Sequence, residues 1–206
     1  MSRLADRPVP GRPGRRPATS HEEIARIGLY LFSEQGFDAV SVDDIAAAAG
    51  VGRRTLFRYY PSKNDIAWGT FDDHLERWER WIDVETKNLE LLPAIRAAVI
   101  HFNSYSPAVM VSHRLRMALI LDNPALQAHA TLRYERWRAV IARLAADRLG
   151  CTVSDFRPAV IAHLTLGAAL ASYEHWLRDE TADLIALLGQ ALDVLSDPSR
   201  TIDSEI

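Results

Sequence analysis

Between Ser20 and about Leu195, apolar residues recur at the three- and four-residue spacing of helices, and no stretch shows the convincing period of two that marks a half-buried strand. Ile24, Ile27, Leu31 and Phe32 form the first stripe, with Ser20 and Glu23 spaced as a capping box ahead of it and Gly36 closing it. Ser41 and Asp44 repeat the box before a short helix running through Ile45 to Ala49, which Gly50 breaks. A third helix runs from about Arg53 to Tyr60 and stops before Pro61. Ser62 and Asp65 open a long fourth helix carrying Trp68, Phe71, Leu75, Trp78 and Ile82. Pro93 suits the first turn of a fifth, Pro107 opens a sixth ending near Asp122, and Asn123-Pro124 starts a seventh that ends by Gly150. Ser154 caps an eighth helix to about Arg178, and a ninth follows to Leu195. The expected fold is all-α, with about nine helices and no internal repeat.

Composition narrows the class. With 206 residues and 48% hydrophobic content the chain can bury a sizeable core, which excludes wholesale disorder. A single cysteine, Cys151, cannot form an internal disulfide and suits a reducing, cytoplasmic setting. The longest charge-free apolar stretch, Pro158 to Tyr173, spans 16 residues, short of the roughly 20 a membrane helix needs. The first twenty residues lack the apolar run of a secretory leader. A soluble chain with no membrane role is expected.

Charge is unevenly spread. Residues 1–19 hold Arg3, Arg7, Arg12, Arg15 and Arg16 against Asp6 alone, a net +4, whereas residues 66–206 carry −5. Pro8, Pro10, Pro13 and Pro17 with two glycines exclude a helix there, so 1–19 reads as a flexible basic arm. It is either a solubilising tail or an added contact to phosphate or minor groove, for which arginine is suited. The expected division is this arm, a unit of three helices at 20–66, and a larger helical body at 67–206.

Residues 41–60 form two short helices joined at Ala49-Gly50-Val51-Gly52, with Ile45, Val51 and Leu56 available to pack the inner face. The second begins Arg53-Arg54-Thr55, followed by Arg58 and Tyr59, which puts hydrogen-bonding side chains at the end of a helix able to enter a major groove. Lys63 sits at the next helix start, where charge and backbone amides favour phosphate. A helical hairpin with a solvated basic face would share that spacing.

The wording of the segment is more particular. Ser41-Val-Asp-Asp-Ile-Ala, then Gly50-Val-Gly-Arg-Arg-Thr-Leu-Phe-Arg-Tyr-Tyr-Pro-Ser-Lys63, with Phe32-x-x-x-Gly36-Phe37 ahead, resembles the DNA-binding domain of the tetracycline-repressor (TetR) family. The resemblance implies a homodimeric transcription factor on a double-stranded DNA operator, with Arg53, Arg54 and Thr55 at base-reading positions and Ser41, Tyr59 and Lys63 at backbone-holding ones. Gly52 and Phe57 depart from the pattern, where a serine or threonine and a tyrosine are common. A narrower likeness, to mycofactocin-system regulators, is carried by Arg54 through Gly69, Pro124-Ala-Leu-Gln-Ala-His129 and Tyr173-Glu-His-Trp-Leu177. It implies control of genes for a peptide-derived redox cofactor and a hydrophobic effector such as a long-chain acyl-CoA.

For the regulatory body, Met110, His113 and Met117 on the sixth helix and Tyr134 and Trp137 on the seventh form stripes that, with Phe71 and Phe102, suit an apolar cavity holding a few polar handles. Core packing is the plainer account of the same residues. Arg114, Arg116 and Arg133 are candidates to meet phosphates at its mouth. The fourth helix, which reaches from the reading domain to the cavity, is the expected lever, since an effector acts only by preferring one arrangement of the protein. Ile161, Leu164 and Ala168 on the eighth helix, with Leu184 and Leu188 on the ninth, make a candidate four-helix dimer seam.

A helical enzyme is the competing class. No histidine follows a glutamate by three residues, and there is no His-Glu-x-x-His or Gly-x-Ser-x-Gly motif and no Walker-type phosphate loop, so neither catalytic residue, metal nor cofactor is expected. Within the DNA-binding class, an activator or a ligand-blind repressor stays open beside the effector-released repressor.

Overall fold

The computed structural model describes residues 19–196, so the arm, apart from Thr19, lies outside the described residues, as does 197–206. Among the described residues ten helices follow one another: α1 (His21–Gln35), α2 (Val42–Ala48), α3 (Arg53–Tyr59), α4 (Lys63–Trp68), α5 (Phe71–Glu85), α6 (Leu91–Asn103), α7 (Pro107–Asp122), α8 (Pro124–Leu149), α9 (Phe156–Arg178) and α10 (Leu184–Ser196). There is no strand among the described residues, and the expected all-α class holds.

Most ends are set by the anticipated residues. Ser41 Oγ accepts from the Asp44 amide while the Asp44 carboxylate accepts from the Ser41 amide, a complete capping box. At Ser20 only half a box forms, because Glu23 spends its carboxylate on Arg26. Asn123 accepts from the amides of Ala125 and Leu126, and Gly150 ends α8 in the left-handed region at φ +64°.

Two boundaries differ from the expectation. The long fourth helix is two helices, because Gly69 takes φ +62° and turns the chain between Trp68 and Phe71. The expected cap Ser154 is displaced by Asp155, whose carboxylate accepts from the Thr152 amide as the loop tightens ahead of α9.

Two apolar cores result. The first joins α1 to α4 around Ile24, Phe32, Ile45, Leu56 and Ile66, and reaches Ile120 on α7 and Leu126 on α8. The second gathers α5 to α10 around Trp78, Val99, Trp137, Ile141 and Leu188. Phe71 and Tyr134 border both, so the cores meet where α4 gives way to α5. Gly28 seats α4: a Cβ there would stand 2.4 Å from Ile66 Cγ2, so only glycine admits this approach of α1 and α4.

The second core corrects the proposed seam in part. Leu184 and Leu188 are 2% and 0% exposed, buried in their own subunit, because α10 packs its apolar face on α6 and α9. Ile161 and Ala168 are half-buried, and Leu164 remains 53% exposed on the outer face of α9.

Candidate nucleic-acid interface and effector cavity

The α2–turn–α3 unit is built from a buried and an exposed side. Leu56 is buried on the inner face of α3, whereas Arg53, Arg54, Phe57 and Arg58 are exposed. Arg53 Nη1 donates to Asp43 Oδ2 at 2.7 Å, a solvent-facing pair of little strength that a phosphate or base can displace. The Arg54 side chain has no hydrogen bond or ion pair among the described residues. Thr55 is half-buried beside it.

The three expected backbone holders are less free. Ser41 Oγ donates to Asp44 Oδ2 at 2.6 Å, as part of its cap. The Tyr59 hydroxyl donates to the Thr19 carbonyl at 2.8 Å. Lys63 Nζ lies over the Phe37 ring and donates to the carbonyls of Phe37 and Val40, closing the loop between α1 and α2 with two of its three protons. Thr19, the first described residue, therefore stands against the end of α3 that carries Arg58 and Tyr59.

A cavity of about 420 Å³ opens between α4, α5, α6, α7, α8 and α9. Phe71, Phe102, His113, Met117, Tyr134 and Trp137 line it, while Met110 packs on the second core without joining the wall. The volume and the apolar lining with a few polar groups suit a small hydrophobic molecule. Among its polar groups, the Tyr173 hydroxyl donates to Asn103 Oδ1 at 2.5 Å and therefore accepts from His113 Nε2–H at 2.7 Å. This chain fixes the tautomer of His113. Burial, with the charge of Arg116 and then His74 adding to it, pushes that imidazole down to about 3, so it is neutral. Burial pushes the Tyr105 and Tyr134 hydroxyls up to about 12.

The three arginines suggested for the mouth separate. Arg114 lies 4.4 Å above the Trp176 ring and donates to the carbonyls of Trp176 and Asp179, capping the end of α9. Arg133 is held by Asp65 and Asp72. Of the three, Arg116 alone lines the cavity, whose wall also holds Arg77 and Glu22. Sequence reasoning missed His74, Asn103, Tyr105 and Tyr173 as wall residues, since helical periodicity gives a face and not the pairing of faces.

Comparison with known proteins matches this geometry. The family model for bacterial regulatory proteins of the tetR family covers residues 28–67, and that for the MftR C-terminal domain covers residues 89–200. The proposed mycofactocin biosynthesis transcriptional regulator MftR of Mycobacterium tuberculosis is 46% identical over 188 residues, spanning 91% of this chain and 95% of that protein. This chain belongs to the TetR family.

Solved structures share the TetR-like fold. The fatty acid degradation regulator FadR from Bacillus halodurans aligns with a TM-score of 0.65 at 17% identity, over 90% of this chain and 98% of that one. The FadR repressor of Thermus thermophilus, solved in complex with lauroyl-CoA, aligns with a TM-score of 0.59 at 20% identity, over 91% and 98%. At such identities the likeness speaks to the fold alone. TetR-family membership also sets the helical-enzyme alternative aside: this chain is a DNA-binding transcriptional regulator. No described helix is long and apolar enough to cross a membrane.

Proposed function

We propose that this TetR-family regulator is a cytoplasmic homodimeric repressor that leaves a palindromic operator when a hydrophobic effector, such as a long-chain acyl-CoA, fills the cavity. One observation carries the reading: α4 and its continuation α5 touch both the reading unit and the cavity, because Ile66 packs in the first core while Trp68 and Phe71 line the cavity. In this reading residues 20–66 read DNA and residues 67–206 sense and dimerise. Arg53, Arg54 and Thr55 address base edges, and Ser41, Tyr59 and Lys63 steady the backbone. The acyl-CoA class is supported by the FadR proteins solved with lauroyl-CoA and stearoyl-CoA. The 46% identity to the mycofactocin regulator supports control of mycofactocin genes.

The dimer we propose uses Ile161, Leu164 and Ala168 on α9, with Gly167 open to close approach. Leu92 and Leu195, both exposed, extend the same apolar surface. Helix-turn-helix dimers meet half-sites about 34–36 Å apart, so a shift in α4 that respaces the two α3 helices releases DNA.

Fluorescence anisotropy on the upstream DNA of the protein's own gene, at two salt concentrations, tests this with wild type and Arg54→Ala. Expected are tight, salt-sensitive, sequence-selective binding and a loss of roughly 10- to 100-fold in the variant. Equal weak binding to unrelated DNA by both proteins would overturn the reading for that operator. Titrating acyl-CoAs into the complex tests release, and a complex that no acyl-CoA dissolves favours a ligand-blind repressor.

A further inference from the structure

We infer that Arg116 recognises an anionic oxygen group on the effector and, by doing so, lets go of α4. The inference rests on the effector cavity proposed above and adds the chemistry of its recognition and the residue that transmits it. Arg116 projects from α7 into the cavity, where Nη1 donates to the Ala67 carbonyl at 2.7 Å. No carboxylate lies within ion-pair distance of it among the described residues. The groups that bear on its charge are the phenols of Tyr60 and Tyr105, and burial draws the guanidinium below its ordinary value. A desolvated cation without a counter-ion is costly, and an anion entering the cavity removes that cost.

Two further groups point to the same ligand. Trp68 Nε1–H and the Tyr134 hydroxyl are buried without a hydrogen-bond partner, Trp68 being only 5% exposed. Both line this cavity, their rings meeting edge to face at 5.9 Å. Indole and guanidinium can only donate, and the tyrosine has a proton to give. Trp68 Nε1–H and the Tyr134 hydroxyl thus lack an acceptor, beside a guanidinium whose acceptor is the Ala67 carbonyl. A carboxylate or phosphate oxygen on an apolar body satisfies the donors and the charge together; an alcohol leaves the charge unmet.

Binding there is coupled to α4 through Ala67. This carbonyl stands in the last turn of a six-residue helix, where no following amide donates to it, and Arg116 supplies the donor. Gly69 makes the reach possible, since a Cβ there would stand 2.3 Å from Arg116 Nη1. An anion that draws the guanidinium away uncaps α4 one residue from Ile66, which is seated against Gly28 of the reading domain.

Quenching of the intrinsic tryptophan fluorescence of the full chain tests the proposal without DNA, so its failure is separable from failure of the DNA-binding reading. The probes are dodecanoate, dodecanoyl-CoA and dodecanol. Wild type should bind at least one anionic probe ten-fold or more tighter than dodecanol. Preference for dodecanoate assigns the site to a carboxylate, and preference for dodecanoyl-CoA assigns it to a CoA phosphate. Arg116→Gln should bring the preferred probe to within about three-fold of dodecanol, with Arg116→Lys intermediate. Hydrogen exchange of the amides of residues 66–71 should quicken on binding to wild type. Equal binding of all three probes by wild type, retained preference in a folded Arg116→Gln, or unchanged exchange at α4 would overturn it. Should Arg116→Gln fail to fold by circular dichroism, the wild-type comparison alone decides.

Discussion

Arg133 on α8 donates through Nη2 to Asp65 Oδ1 on α4 at 2.7 Å, with both side chains about 15% exposed. The same guanidinium reaches Asp72 on α5 at 3.1 Å, so one residue spans the break at Gly69 and ties both α4 and α5 to α8. Asp65 has a second duty, since its Oδ2 accepts from Ser62 Oγ at 2.7 Å as α4 begins. Asp65→Asn strips the charge that balances a mostly buried guanidinium and should cost about 2 kcal/mol of stability. Urea unfolding gives the value. A double-mutant cycle with Arg133→Gln should return a coupling above about 1 kcal/mol, and additivity would mean the pair contributes nothing.

The charge of residues 1–19 is expected to bear on affinity. Residues 20–66 hold five basic and seven acidic side chains, so the reading domain alone has no positive excess, and the +4 of residues 1–19 supplies it. Thr19, the last residue of that segment, accepts at its carbonyl from the Tyr59 hydroxyl of α3. Deleting residues 1–18 should weaken operator binding and flatten its dependence on salt, by about 0.9 in slope for each phosphate the arm neutralises. Unchanged slope and affinity would leave the arm a solubilising tail.

Gly52 offers a gain in the opposite direction. It is the N-cap of α3 with φ −75°, no side chain to accept an amide, and nothing within 4 Å of where a Cβ would lie. Gly52→Ser should therefore fit unstrained, cap α3, and raise stability by a few tenths of a kcal/mol. A serine or threonine is common at this position in the family that the segment resembles, so the added hydroxyl is expected to reach a phosphate of the operator. Affinity should rise with an unchanged salt slope, because a neutral donor releases no counter-ion of its own. A Gly52→Ala control that gains as much would refute the role of the hydroxyl.

The caps and the helix-turn-helix were legible in the sequence because each rests on residues within four positions of one another, as at Ser41 with Asp44 and Asn123 with Leu126. The break in the fourth helix was not, although Gly69 was in view: an apolar stripe from Ile66 to Ile82 keeps helical period across it. Its turn is stabilised from outside, by the Arg116 donor on Ala67 and the Arg133 bridge between Asp65 and Asp72. The cavity shows the same limit. Facing stripes named Phe71, Met117 and Trp137, but His74 and Tyr173 enter its wall through partners 28 and 70 positions away in sequence, Phe102 and Asn103.

The two halves of the expected seam should now behave differently. Leu164 is 53% exposed and Leu188 is fully buried. Leu164→Glu should leave the fold intact and split the proposed dimer, read as a halved mass in analytical ultracentrifugation. Leu188→Glu places a charge in the second core and should lower the melting temperature sharply or prevent folding. A Leu164→Glu protein that stays dimeric would move the interface off this face of α9.

His113 gives the chain a pH dependence of definite sign. Its imidazole is held down to about 3 in the folded chain, whereas an unfolded histidine titrates near 6.5. Between those values the unfolded chain binds a proton that the folded chain refuses. Stability is therefore fully present above about pH 6.5 and is lost progressively as pH falls towards 3. The loss attributable to this residue between pH 7.5 and 5.5 is about 1 kcal/mol. Burial lowers the value for His74 too, which adds in the same direction. His113→Gln retains an N–H for the Tyr173 hydroxyl but cannot be protonated in this range, so comparing urea midpoints of the two proteins at both pH values isolates the share due to His113. If the variant loses as much stability as wild type on acidification, His113 is not the residue that carries the pH dependence.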